Sequence, residues 1–343
     1  MHGMIFFRLQ ELRLFSILKE IFSGGDDMRE INDMRGLSLA RAFFASCEAS
    51  LDEHIPDIMA VAAIGLAGEG SECFGCDDEI SRDHDWGPGF CIWLPAAKLS
   101  ASSSRIEAAL AELPQSFAGY PSRMRSESRI GRVGPLSIEA FYTGYTGLSH
   151  APQTWQEWRR IPEHALAACT NGEVFRDGGG EFSAWRRALL AYYPRDLWLK
   201  KLAARCMNMA QAGQYNLPRA LRRGETVCAM LCVSRFVEAA LGMLFLLNRR
   251  YMPFYKWAWH VGRSLPYMGS EVADTLKTIA SMSLVEEGNA VCQQVEALCG
   301  RFAEVLREQS LSREMDSWLW AHGPQLAARI GNPEIARLNL LED

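Results

Sequence analysis

The chain reads as an α+β protein, with a small mixed sheet carrying helices in its first half and an all-helical bundle behind it. Three observations predict this. Two short apolar runs of strand length, 60–66 and 90–94, are bounded by glycine and proline and lie before residue 150. After Gly147 strand signals largely stop. From Glu181 onward apolar residues recur at helical spacing, as in Leu199, Leu202, Ala203, Cys206 and Ala210.

The elements follow in order. Residues 37–51 place Leu37, Leu39, Ala40, Phe43, Phe44 and Cys47 at helical spacing. Residues 57–67 read as a helix tail running into a short strand. A loop rich in glycine and acid follows, and then a strand over 85–94 that Pro95 closes. Residues 100–113 read as a helix, with Ser102 to Ser104 offering an N-cap and Ile106, Ala109, Leu110 and Leu113 on one face. The polar stretch 114–131 is a loop. Alternation in Leu-Ser-Ile-Glu-Ala-Phe-Tyr predicts a strand over 136–142. Residues 152–163 read as the crossing segment, and the glycine density of 171–180 predicts a loop. In the second half, Phe182, Trp185, Leu189 and Tyr192 share a face, and Pro194 opens the next helix. Residues 225–247 are apolar nearly all round and belong at the centre of a bundle; further helices are predicted over 253–262, 271–281, 286–308 and 312–330. The domain reading is therefore a dispensable leader over 1–33, a sheet-bearing domain over 34–150 and a helical domain over 151–343.

Composition narrows the class. The chain has 343 residues, 48% hydrophobic and 22% charged, which suits a globular protein of two domains. A net charge of −5 argues against a generic nucleic-acid binder. The ten cysteines are irregularly spaced, and Cys169, Cys206, Cys228 and Cys232 fall in apolar helical stretches, so they read as reduced core thiols of a cytoplasmic protein. Cys73 and Cys76 form the one short-spaced pair outside a helix, and no second pair completes a zinc set. Arg8, Glu11, Arg13, Lys19 and Glu20 interrupt the apolar leader, which leaves no signal-peptide core or membrane span; Met28 or Met34 is an alternative start. Residues 227–247 are broken by Arg235 and Glu238 and read as a buried helix, so no membrane partner is expected.

The chemistry concentrates between Gly68 and Trp86. Gly70-Ser71 is followed by Asp83-His84-Asp85 at the start of the predicted strand. Two carboxylates one residue apart on a strand share a face, while His84 faces the other way. Such a pair suits Mg²⁺ holding a nucleotide's phosphates, because Mg²⁺ takes few carboxylates and completes its shell with substrate oxygens. Gly70 lets backbone approach closely, and the Ser71 hydroxyl suits a phosphate oxygen. Glu139, on the predicted strand 136–142, fits a third carboxylate acting as metal ligand or as base; the same position also suits a solvated strand residue. Lys256, in the aromatic stretch 248–257, suits a triphosphate contact. Arg249 and Arg250 suit the end of the preceding helix. Lys200, Lys201, Arg219, Arg222 and Arg223 add positive charge that fits either a cleft between domains or ordinary solvated helix faces. Asn171, Glu173 and Asp177 suit acceptor contacts or a simple chain reversal. Trp86 and Trp93 read as core. There is no P-loop, no dinucleotide fingerprint and no nucleophile elbow.

Gly70-Ser71, Asp83-His84-Asp85 and a later acidic residue resemble the DNA polymerase β-like nucleotidyltransferase superfamily, whose kanamycin-type members pair a small mixed sheet with a helical bundle. The chain resembles more closely an uncharacterised bacterial family of unknown function, through the Gly68–Gly75 and Asp77–Trp86 stretches and landmarks at 170–177, 211–216 and 247–257. That resemblance covers roughly Gly36 to the last residue. It implies an ATP-binding or other nucleotide-binding, magnesium-dependent transferase that moves a nucleoside monophosphate from a nucleoside triphosphate to a hydroxyl of a small molecule, a protein or an RNA end. Asp83 and Asp85 would hold the metal, with Glu139 as ligand or base. Gly70, Ser71 and Lys256 would seat the triphosphate. A long nucleic acid is disfavoured as acceptor, because no large basic tract is present. An inactive nucleotide-binding regulatory module is the alternative. Two features depart from the superfamily pattern. Arg82 stands directly before the first aspartate, where a small residue is usual, and Asp77-Asp78-Glu79 is unusually acidic.

Overall fold

A computed structural model describes residues 35–82, 85–129 and 131–343. The leader over 1–33, both alternative start methionines, Asp83 and His84 lie outside the described residues. The fold is α+β with a small mixed sheet. It divides into two compact units. The first takes the described residues up to Ala151 and again from Ala168 to Leu190; the second takes Pro152–Ala167 and Ala191–Asp343.

In the first unit, α1 (Gly36–His54) buries Leu39, Phe43, Phe44 and Cys47, the face that the periodicity predicts. After α2 (Pro56–Met59), β1 (Ala63–Leu66) is buried throughout and sits inside the sheet. β2 (Cys91–Leu94) pairs antiparallel with it. The strand predicted over 85–94 is therefore only four residues long. Asp85 lies in a bend at φ 54°, and Gly87, Pro88 and Gly89 separate it from β2. Strand alternation therefore does not operate at Asp85.

The next helix, α3 (Ala96–Ala111), starts directly after Pro95, and the serines at 102–104 lie inside it rather than at its cap. A two-strand ribbon, β3 (Ser116–Phe117) with β4 (Tyr120–Pro121), interrupts the predicted loop. Residues 136–142 are a second correction. β5 (Gly134–Ser137) pairs parallel with β2 and stops where Ser137 caps α4 (Ile138–Thr146) by accepting from the Ala140 N–H. Ile138, Tyr142 and Thr146 are the buried residues, a spacing of four that outweighs the local alternation.

α5 (Trp155–Arg160) opens with a complete capping box from Thr154 and Glu157, and α6 (Glu163–Thr170) carries the chain back into the first unit. There the glycine-rich stretch read as a loop holds β6 (Glu173–Asp177), antiparallel to β1, so the sheet order is β5-β2-β1-β6. Gly172 enters it at φ 59°, where a Cβ would stand 1.9 Å from the Leu66 carbonyl oxygen. Asp177 ends the strand and accepts from the Gly180 and Ser183 N–H groups. These groups begin α7 (Glu181–Leu190). Aromatic packing explains why this segment belongs to the first unit: Phe182 stacks on Trp93 at 4.0 Å and Trp185 on Tyr142 at 4.8 Å between ring centroids.

The second unit is helical. α8 (Arg195–Met209) continues as a π-helical turn over Ala210–Asn216 and then α9 (Leu217–Arg222). α10 (Thr226–Leu247), α11 (Tyr255–Gly262), α12 (Gly269–Ser281), α13 (Gly288–Glu308), α14 (Leu319–Ala327) and α15 (Pro333–Ala336) complete it. α8 packs on α10 and α14. α10 meets the expected central position only in part. Residues from Ala239 to Leu247 are buried, whereas Val227, Met230 and Leu231 are exposed by 58–67%. By length and composition alone this helix could cross a membrane; 61% of its most apolar window is buried inside the unit. Lys200 and Lys201, read from sequence as cleft or solvated residues, are buried. All ten cysteines are free, and Cys228 is exposed rather than core.

Candidate functional site

β1 delivers the motif to the end of the sheet. Leu66 ends the strand, and the chain turns outward through Gly68. Asn171, just before β6, holds that turn from both sides: its Oδ1 accepts from the Gly68 N–H at 2.9 Å and its Nδ2 donates to the Gly68 carbonyl at 2.7 Å. The Gly172 N–H donates to the Cys73 carbonyl at 3.0 Å, and the Arg186 guanidinium donates to the Asn171 carbonyl at 2.8 Å. Three of these bonds fix the loop on a segment a hundred residues away in sequence, and the fourth braces that segment from α7.

Gly70 leads into a 3-10 turn over Ser71–Phe74. Its small size is used by the protein itself, since a Cβ there would lie 2.4 Å from a Glu72 carboxylate oxygen. Glu72 is buried against Arg123 at 3.1 Å, with the two side chains 8% and 6% exposed. Ser71 is half-buried, and its carbonyl accepts from the Cys76 N–H.

Beside this loop is a cavity of about 80 Å³ whose walls include Gly68, Glu69, Gly70, Arg123, Arg132 and Tyr145. Burial, reinforced by the Glu69 charge, pushes the Tyr145 phenol well above its ordinary range, so it meets the cavity as a neutral hydroxyl. Arg132 connects the cavity to the other end of the motif, with its guanidinium 3.6 Å from the Asp85 carboxylate. The structure therefore brings together Gly70 and, through Arg132, Asp85.

The other predicted residues are placed differently. Glu139 is in the first turn of α4, not on a strand. Its two oxygens accept from the Ala96 N–H at 3.0 and 2.9 Å, and one also accepts from the Ser137 hydroxyl at 2.8 Å. Burial would raise its pKa, but these donors outweigh it and hold the carboxyl below the ordinary value. Glu139 thus supplies the cap that α3 lacks after Pro95. Lys256 is exposed in the second unit, its ammonium 4.5 Å over the Trp257 ring.

The acidic loop is structural over part of its length. One oxygen of Asp77 accepts from the Gly36 N–H at 2.6 Å and from Trp86 Nε1 at 3.1 Å, tying the loop to α1. Its other oxygen is buried with no hydrogen-bond partner among the described residues. Asp78 accepts from the Ser81 N–H and hydroxyl, both at 2.9 Å, and these bonds lower its pKa. The Arg82 guanidinium lies 4.5 Å over the Trp86 ring.

Sequence reading missed Glu69, Arg123, Arg132, Tyr145 and the bracing role of Asn171. The arginines lie in an aperiodic loop, and only the fold carries that loop back to the end of β1. Among the described residues no group of three or more His, Cys, Asp and Glu side chains forms a metal set. Among the motif's carboxylates, Glu69 lines the cavity and Asp85 meets it through Arg132, while Glu72 is committed to Arg123; Glu69 and Asp85 are oxygen ligands of the type Mg²⁺ takes.

A family model, a domain of unknown function (DUF4037), matches residues 158–258. The match is well under half of the chain and leaves out the stretch from Gly68 to Asp85. No curated protein and no solved structure matches the chain.

Proposed function

We propose that the first unit is a Mg²⁺-dependent nucleotidyltransferase centre that moves a nucleoside monophosphate from a nucleoside triphosphate to a hydroxyl acceptor. The observation that carries this reading is the cavity at the end of β1, where the Gly68–Gly70 turn meets Arg132, the ion-pair partner of Asp85. Asp83 and Asp85 would hold the metal, which supplies charge neutralisation at the phosphates. Glu69 is a better-placed additional carboxylate than Glu139, whose oxygens serve the start of α3. Arg132 presents a guanidinium suited to a phosphate, and neutral Tyr145 presents a hydroxyl donor. Ser71 follows Gly70 but does not line the cavity, so its proposed phosphate contact rests on the motif alone. Lys256 retains only its charge as support.

The test is incubation with labelled nucleoside triphosphates, Mg²⁺ and a cell extract. Transfer of label by the parent protein and its loss in Asp83→Ala/Asp85→Ala are expected; label that persists in that variant overturns the assignment. A second reading, a nucleotide-binding module without transfer, draws on the Asp85–Arg132 ion pair, because an arginine beside the carboxylate can replace a metal as counter-charge. Calorimetric titration of a triphosphate with and without EDTA separates the two. Binding that survives EDTA, with no turnover, favours the module.

A further inference from the structure

The second unit buries a cluster of cations that the reading above does not use. Lys200, Lys201 and Arg205 lie on α8, and Arg159 lies at the end of α5. Lys200 is 1% and Lys201 6% exposed. Residues 341–343 sit against them. The Arg205 guanidinium is 2.6 Å from the Asp343 carboxylate, and Arg159 is 3.2 Å from that of Glu342. The Lys200 ammonium donates to the Glu342 carbonyl, and the Asn208 amide donates to the Leu341 carbonyl at 3.2 Å. Burial works against charge on Asp343, yet Arg205, Lys201, Lys200 and Arg159 together hold its carboxyl below the ordinary value. One other carboxylate is built in: Glu163, 3.8 Å from Arg205, whose pKa burial raises.

The charge balance depends on the 341–343 segment. With it in place, four cations face Glu163, Glu342 and Asp343. Without it Glu163 answers only Lys201 and Arg205, and three of the four positive charges, those of two largely buried groups and of Arg159 at the rim, have no counter-charge. The groups supplied by the segment, one carboxylate in the site and another at its rim, are fewer than a phosphate chain offers. Lysine ammonium groups and arginine forks are the donors that phosphate recognition uses.

We infer that Arg159, Lys200, Lys201 and Arg205 form a binding site for a phosphate chain, and that Glu342 and Asp343 occupy it as an internal stand-in. A phosphate ligand enters by displacing the segment. This site lies in the second unit and does not rest on the transferase reading of the first.

The test is calorimetric titration of the full chain with inorganic triphosphate and, in a separate arm, with ATP. Glu342→Gln/Asp343→Asn is expected to bind triphosphate about ten-fold tighter than the parent. Adding Lys201→Gln to that variant is expected to abolish the gain. Equal gains for ATP and triphosphate assign the site to phosphate chains in general; a gain for triphosphate alone assigns it to the free ion. A folded double variant with no gain, or a gain that survives Lys201→Gln, overturns the inference. Hydrogen exchange on the parent gives an independent check that needs no variant. Triphosphate should speed exchange at the amides of residues 341–343, and unchanged exchange at saturating triphosphate overturns displacement.

Discussion

In the first unit one glutamate and one arginine are buried against each other, Glu72 with Arg123, in a loop whose backbone is fixed by Asn171. In the second, four cations converge on α8 and α5, and most of their counter-charge comes from residues 342 and 343, far along the chain. The first arrangement is closed: each charge is answered within the loop region, and removing either partner strands the other. The second is open, since its neutrality depends on a short segment held by a few hydrogen bonds and ion pairs. Buried charge of the first kind builds a loop. Buried charge of the second kind leaves a place that another anion can take.

Three substitutions sharpen this contrast. The largest effect is expected from Glu72→Ala, which leaves Arg123 buried without a partner and costs about 3–5 kcal/mol. Replacing both, as Glu72→Leu/Arg123→Met, should restore much of that loss in a urea titration. A double variant as unstable as Glu72→Ala would show that the pair matters for shape rather than charge. Next, Asp343→Asn removes the ion pair with Arg205 and should cost about 1–3 kcal/mol at neutral pH, less than the more deeply buried Glu72–Arg123 pair. Because the folded pKa of Asp343 is depressed, its contribution is full above the unfolded value of 3.8 and is lost as pH falls through the folded value. The parent's advantage over Asp343→Asn should therefore shrink on acidification, and an advantage constant down to the folded pKa would contradict the assignment.

The smallest effect is read from slope. Burial pushes the Lys200 ammonium down to about 8 from 10.5, despite Asp343 and Glu342 nearby. Between those values the unfolded chain holds more protons at this residue than the folded one, so stability rises with pH across the window. The parent should gain stability relative to Lys200→Met from pH 8 to 10.5, as followed by thermal melts. Parallel profiles would place the lysine's charge in solvent.

How far the site could be read from sequence varies residue by residue. Gly70 and Ser71 are recognisable because a short loop motif needs its residues at fixed spacing. Asp85 is legible as part of that motif, but the apolar run beyond it hides the break at Gly87, Pro88 and Gly89 and suggests a strand there. The position of Glu139 is ambiguous in sequence, because the residues over 136–142 satisfy strand and helix patterns together. Packing of Ile138, Tyr142 and Thr146 decided for the helix. Glu173–Asp177 looked like a loop because glycines surround it, and its identity as a strand comes from pairing with β1.

By itself the sequence determined the local preferences: the helical faces of α1 and α8, the apolar strands β1 and β2, the turn at Gly70-Ser71, and an α+β class with its strands mostly early. These follow from periodicity and turn chemistry, which act over a few residues. The tertiary structure alone decided that residues 168–190 return to the first unit, that Asn171 braces Gly68, that Arg132 meets Asp85, and that Asp343 lies among four cations. Each of these joins positions far apart in the chain, and the energy that selects them comes from burial and pairing, which appear only once the chain has folded.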